Sequence, residues 1–139
     1  MVTIEQIEAR RDLAAEAPDL SALVERVRGR VDRLLREPPA IPRVKAMLSR
    51  DGGLCPEDGA TLRFDPWSPD QHQCPRCGNS ISGERHHRHW ARAQHLWLAE
   101  RMLDLAVLAA LEDDATAAAV ACDLIAAYED RYFECLNQD

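Results

Sequence analysis

Between residues 55 and 83 the chain reads CPEDGATLRFDPWSPDQHQCPRCGNSISG, and this stretch narrows the possible folds more than any other. It holds two half-motifs, Cys55-Pro56-Glu57-Asp58-Gly59 and Cys74-Pro75-Arg76-Cys77-Gly78. In the second, two thiols stand two residues apart and Gly78 permits a tight turn that aims amide N–H groups at sulfur, as in a metal knuckle. A structural zinc ion takes four ligands in a tetrahedron, mostly Cys and His. Cys55, Cys74 and Cys77 supply three. The fourth is open between Asp58, adjacent in sequence and standing where a full ribbon has Cys or His, and His72, which shares the face of Cys74 if that segment is a strand. A closed site of this kind is structural, because it leaves no position for a reacting water.

The chain has five cysteines, and its N-terminus has no apolar run of signal-peptide type. That combination points to thiols and a metal, not a disulfide framework, and to the cytoplasm. Cys122 and Cys135 are expected on one helix, roughly 20 Å apart, and therefore read as small core residues. Hydrophobic residues make up 46% of the 139 and aromatics only 5%, so Ala and Leu supply the apolar surface and favour helix. The length fits one domain or a piece of a larger one. A net charge of -7 argues against a general nucleic-acid-binding role. The longest apolar window, 96–111, is broken by Glu100, Arg101 and Asp104, so no membrane span is expected.

Helical patterns flank the Cys-rich stretch. Thr3-Ile4-Glu5-Gln6 is a capping box, opening a helix to about Ala17. Asp19 or Ser21 caps a second, whose stripe runs Leu20, Leu23, Val24, Val27, Val31, Leu34 and Leu35. Arg26, Arg28, Arg30, Arg33 and Arg36 alternate with acids and read as its solvated face. Glu37-Pro38-Pro39 stops it, and residues 43–49 are expected to form a short helix. Residues 60–64 read as a short strand, with 71–73 as a returning strand. Residues 86–112 lack Gly and Pro and read as one long helix whose second half is apolar on most faces, hence buried. Asp113-Asp114 turns the chain, with Asp114 as N-cap of a helix running to about Leu136. The pair forms an antiparallel helical hairpin.

The long helix carries His86, His87, His89, Trp90 and Trp97. His86 and Trp90 share a face, and Trp90 and Trp97 lie on one side. The ordinary role of the histidines is at the surface or an interface and that of the tryptophans is packing; their sharper one is substrate binding, with His86 and His89 as polar contacts and Trp90 and Trp97 as a saccharide platform. Tyr128 and Tyr132 share a face and read as packing residues. No GxSxG, phosphate loop or HExxH is present, so no catalytic residue is assigned.

Taken together, the CPxxG…CPxCG pair, the helix HWARAQHLWLAER and the closing AAYEDRY resemble the N-terminal helical domain of bacterial heparinase II/III-family polysaccharide lyases, over residues 54–139. Asp58 stands where that family's first knuckle is expected to carry His. The resemblance implies an (α/α) toroid followed by β-sandwich domains, and β-elimination of uronic-acid polysaccharides by Asn, His and Tyr groups further along. The chain then reads as an N-terminal fragment or truncated relative, inactive alone. The implied partners are an acidic polysaccharide and the remaining lyase domains, or a second copy in a homo-oligomer. The competing reading is a non-enzymatic zinc-ribbon and helical module that binds another protein. The resemblance implies a mainly α fold: antiparallel helical hairpins of an incomplete (α/α) toroid with a small zinc-ribbon-like β insert. The expected division is 1–50 (N-terminal helices), 51–83 (insert) and 84–139 (hairpin).

Overall fold

The computed structural model describes residues 2–46 and 51–132. Among them are four helices, α1 (Ile4–Glu16), α2 (Pro18–Arg36), α3 (Glu84–Glu112) and α4 (Ala115–Arg131), and one antiparallel pair, β1 (His72–Gln73) with β2 (Ser80–Ile81). The chain divides into two compact units. One comprises Met1–Pro38 with Ala99–Glu129, the other Pro39–Leu98 with Asp130–Asp139. No described helix is long and apolar enough to cross a membrane.

In the first unit, the Thr3 side chain accepts from the Gln6 N–H while the Gln6 side chain accepts from the Thr3 N–H, closing the capping box of α1. α2 starts at Pro18, one residue before Asp19 and three before Ser21, so neither expected cap is its N-cap. Pro18 sits at its first turn, where a missing N–H costs nothing, and no side chain caps it. Val24, Val27, Val31 and Leu34 are buried, as the i, i+3/i+4 stripe requires, whereas Leu20 and Leu23 stay 37% and 45% exposed. From α3 and α4 this unit buries Leu105, Leu108, Ala117, Ala121 and Leu124. The Asp114 carboxylate accepts from the Ala117 N–H at 2.9 Å, the expected N-cap of α4.

Two expectations fail here. The arginines of α2 are not merely a solvated face. Arg28 meets Glu112 and, at 3.1 Å, Asp114; Arg30 grips the buried carboxylate of Asp104 through two nitrogens at 2.6 and 3.0 Å. The apolar half of α3 is not covered all round. Leu105 and Leu108 are buried, but Leu103 is 67% exposed. Cys122, expected in the core, is also exposed; Cys135 lies outside the described residues.

The second unit contains the Cys-rich stretch and the first half of α3. The strand expected over 60–64 does not form. Those residues make single ties: the Leu54–Thr61 bridge, Leu62 N–H to Gly53 O, and Arg63 N–H to Gln73 O. β1 pairs instead with β2, His72 opposite Ile81 and Gln73 opposite Ser80. Residues 43–46 are not helical; the rest of that expected helix, 47–49, lies outside the described residues. The Pro-rich segment is pinned to α3 by side chains. Gln94 donates to Ala40 O at 3.0 Å and His95 Nε2 bonds Val44 O at 2.7 Å. Trp67 packs edge-on against Trp97 with ring centres 5.5 Å apart, and Tyr132 meets His95 in the same manner.

Candidate metal centre

The two half-motifs fold as equivalent turns. In the first, Gly59 N–H returns to Cys55 O at 2.9 Å and Cys55 N–H takes Ala60 O at 2.8 Å. In the second, Gly78 N–H returns to Cys74 O at 3.0 Å and Cys74 N–H takes Asn79 O at 2.9 Å. Gly59 and Gly78 both adopt positive φ, 70° and 77°, where a side chain would be strained. Each turn therefore presents two side chains three residues apart: Cys55 and Asp58 from one, Cys74 and Cys77 from the other.

Ligand atoms of these four residues lie within 4.8 Å of one another, close enough to hold one metal ion. Cys55 Sγ is 3.8 Å from Cys77 Sγ, and Asp58 Oδ2 is 3.4 Å from Cys74 Sγ. Cys55 and Cys74 are buried; Cys77 is exposed at the rim. Around them lies a minimal apolar core of Ala60 and Ile81 with Leu62 packed against it.

Backbone donors prepare the cluster. The Ala60 N–H bonds Asp58 Oδ1 at 2.8 Å, which holds the carboxyl below its usual range and leaves Oδ2 for a ligand role. The Cys77 N–H points at Cys74 Sγ at 3.5 Å and lowers that thiol's pKa. The Asn79 N–H pulls Cys77 down, but desolvation and the neighbouring thiols Cys74 and Cys55 outweigh it and push Cys77 up to about 11. A cation at the centre removes that penalty, because it is the missing opposite charge among crowded thiolates. Arg76 Nη1 clamps Asp58 O at 3.0 Å and fixes one turn to the other. Three thiols and one monodentate carboxylate are compatible with zinc.

His72, the other candidate fourth ligand, lies outside this group. It is buried, and its Nε2 faces His87 Nδ1 at 3.3 Å. Burial, reinforced by His87 and His86, lowers its pKa to about 4, so the ring is neutral at neutral pH.

The candidate substrate-contacting residues separate. His86, His89 and Trp90 line one recess together with Gly52, Leu62, Arg63, Phe64 and His72. Trp97 is not part of it. Within that recess His86 has structural bonds: Nδ1 to Gly52 O at 2.7 Å, and Nε2 accepting from Arg85 Nε at 3.1 Å. Trp90 donates to Asp65 O at 2.8 Å. Sequence reasoning missed Gly53, whose backbone lies so near the His89 ring that an added Cβ would stand 2.5 Å from Nε2. It also missed Arg63 as a recess residue. The Gly52-Gly53 pair was the available signal for a close backbone approach.

No protein-family model, curated protein or solved structure matches the chain.

Proposed function

We propose that the chain is a zinc-stapled helical module of a heparinase II/III-like polysaccharide lyase, acting as scaffold and not as the catalytic part. The observation that carries the metal reading is the pair of equivalent turns, which bring Cys55, Asp58, Cys74 and Cys77 within 4.8 Å. Four protein donors complete a tetrahedron and leave no coordination position for a water or substrate, so the metal's role is to hold the turns together. The ribbon and its small apolar core then depend on the ion, as in other metal-nucleated domains. The lyase assignment rests on the sequence resemblance over residues 54–139, in which α3 and α4 would form the first hairpin of an (α/α) toroid. Its implied substrate class is a uronic-acid polysaccharide, and its implied partners are further lyase domains.

The tests are metal analysis of the purified chain and absorbance assays for unsaturated uronate with alginate, heparin and heparan sulfate. One zinc per chain and no unsaturated product are expected. Well under one metal per chain overturns the ribbon; robust product formation overturns the scaffold role.

Exposed apolar side chains favour a second reading, a metal-stapled module that binds another protein. Leu103 on α3 and Ile125 on α4 are 67% and 57% exposed, and exposed apolar surface of this kind marks contact faces. Downstream coding sequence for further helical hairpins and a β-rich domain would support the lyase reading; an isolated gene would support this one.

A further inference from the structure

We infer that Cys77 is an oxidation site with Cys55 as its resolving thiol, and that the disulfide they form takes over from the metal ion as the link between the two turns. The three sulfurs of the cluster are not equivalent. Cys55 and Cys74 are each 2% exposed, whereas Cys77 is exposed, so an oxidant arriving from solvent meets Cys77 first. Cys55 Sγ faces it from the other turn at 3.8 Å. Cys74 Sγ is engaged on another side: Asp58 Oδ2 stands 3.4 Å and Oδ1 3.6 Å from it, and the Cys77 N–H points at it from 3.5 Å. An accessible sulfur beside a sheltered second thiol is the arrangement in which a sulfenic acid condenses to a disulfide before it is oxidised further. Cys122 is also exposed, but it belongs to no such cluster among the described residues.

The oxidant is a hydroperoxide. In the loaded cluster the sulfurs are thiolates, the reactive form. The Cys77 thiolate attacks one peroxide oxygen: an S–O bond forms, the O–O bond breaks, and the hydroxide that leaves is protonated to water. The Cys55 thiolate then attacks the Cys77 sulfur: an S–S bond forms, the S–O bond breaks, and a second hydroxide leaves as water. Two thiolates, one hydrogen peroxide and two protons from solvent give one disulfide and two waters, with two electrons passing from sulfur to peroxide oxygen. Cys74 and Asp58 are then the only donors left of the four, too few for a structural zinc site, and the ion is released. The new bond joins Cys55 of the first turn to Cys77 of the second, so the turns stay tied without the ion. A small-molecule thiol reverses the step by exchange and restores the donor set.

The release step rests on the metal reading above, and the experiment separates the two. Zinc content of the full chain is measured first. A chain that binds none fails the metal reading, and the Cys55–Cys77 pairing then stands or falls on disulfide mapping of that chain after hydrogen peroxide. The loaded chain is titrated with hydrogen peroxide while a chromogenic chelator reports free zinc, and non-reducing peptide mapping by mass spectrometry identifies the linked cysteines. One zinc should be released for each disulfide formed, with the link at Cys55–Cys77 and Cys122 still a thiol, and dithiothreitol should restore zinc binding. Cys122→Ser should leave the release unchanged. Cys55→His keeps a zinc donor but removes the resolving thiol, and should leave Cys77 as a sulfenic acid that dimedone traps, with no disulfide. A Cys74–Cys77 or Cys55–Cys74 link, a disulfide formed with zinc retained, oxidation of Cys122 ahead of Cys77, or thiols and zinc untouched by excess peroxide would each overturn the proposal.

Discussion

Asp104→Asn should be among the most damaging polar substitutions in the first unit. The Asp104 carboxylate is buried, with a side chain 10% exposed. It accepts from Arg30 at 2.6 and 3.0 Å and forms an ion pair with Arg101, whose Nε lies 2.8 Å away. Asn keeps the shape but removes the charge and turns an NH₂ group toward a guanidinium. Hydrogen bonds to charged groups contribute about 1.5–3 kcal/mol each, and breaking a buried pair costs about 3–5 kcal/mol. Arg30 is 45% exposed and can turn to water, and Arg101 also meets Glu100, so the cost falls at or below the low end of that range. The expected loss is about 2–3 kcal/mol in urea unfolding followed by circular dichroism, with an unchanged m-value. Arg30→Gln should cost much less, because the exposed partner is the one removed. The pH dependence follows from the same contact. Arg30 lowers the Asp104 pKa in the folded state, so the carboxylate's contribution is full above its unfolded value near 3.9 and disappears as pH falls through the lower folded value. The deficit of Asp104→Asn should therefore be constant from pH 7 to about 5 and shrink only below about 3.9. A loss under about 0.5 kcal/mol, or an equal loss from Arg30→Gln, would refute the argument.

Gly53→Ala sets a methyl against the His89 ring and should cost about 1–2 kcal/mol, read by thermal unfolding together with a displaced His89 NMR signal. Leu108 is fully buried, and Leu108→Ala should cost about 3 kcal/mol in the same urea assay. Asp58→Cys should slow metal release to a chelator by completing a four-thiolate set, whereas Asp58→Ala should speed it; a common release rate for all three proteins would remove Asp58 from the donor set.

The helices were legible because their signals are local. The Thr3 capping box, the α2 valine stripe and the Asp114 cap are each complete within a few residues, and each formed as read. The failures came where partners decide. Whether Arg28 and Arg30 face water depends on acids more than seventy residues away, at Asp104, Glu112 and Asp114. Whether Leu103 is covered depends on what packs beside α3, which its own periodicity does not contain. The strand expected over residues 60–64 rested on weak alternation, and single hydrogen bonds to Gly53 and Gln73 fix that segment without a ladder.

The choice of fourth donor shows the same contrast at the metal cluster. His72 was a candidate because strand alternation would put it on the face of Cys74. That alternation ends too soon. β1 stops at Gln73, and Cys74 begins a tight turn that closes on Gly78. The two side chains are therefore set by different rules, and His72 turns to His87 while Cys74 joins the thiols. Asp58 needs no strand. It sits in a turn with the same Cys-to-Gly hydrogen bond and the same positive-φ glycine as the one that presents Cys77, so it occupies the corresponding position. A carboxylate is shorter in reach than it is flexible, and the Ala60 N–H fixes one of its oxygens, which leaves the other directed at the cluster. Equivalence of the two turns, more than the chemistry of any single donor, is what brings an oxygen into a thiol set.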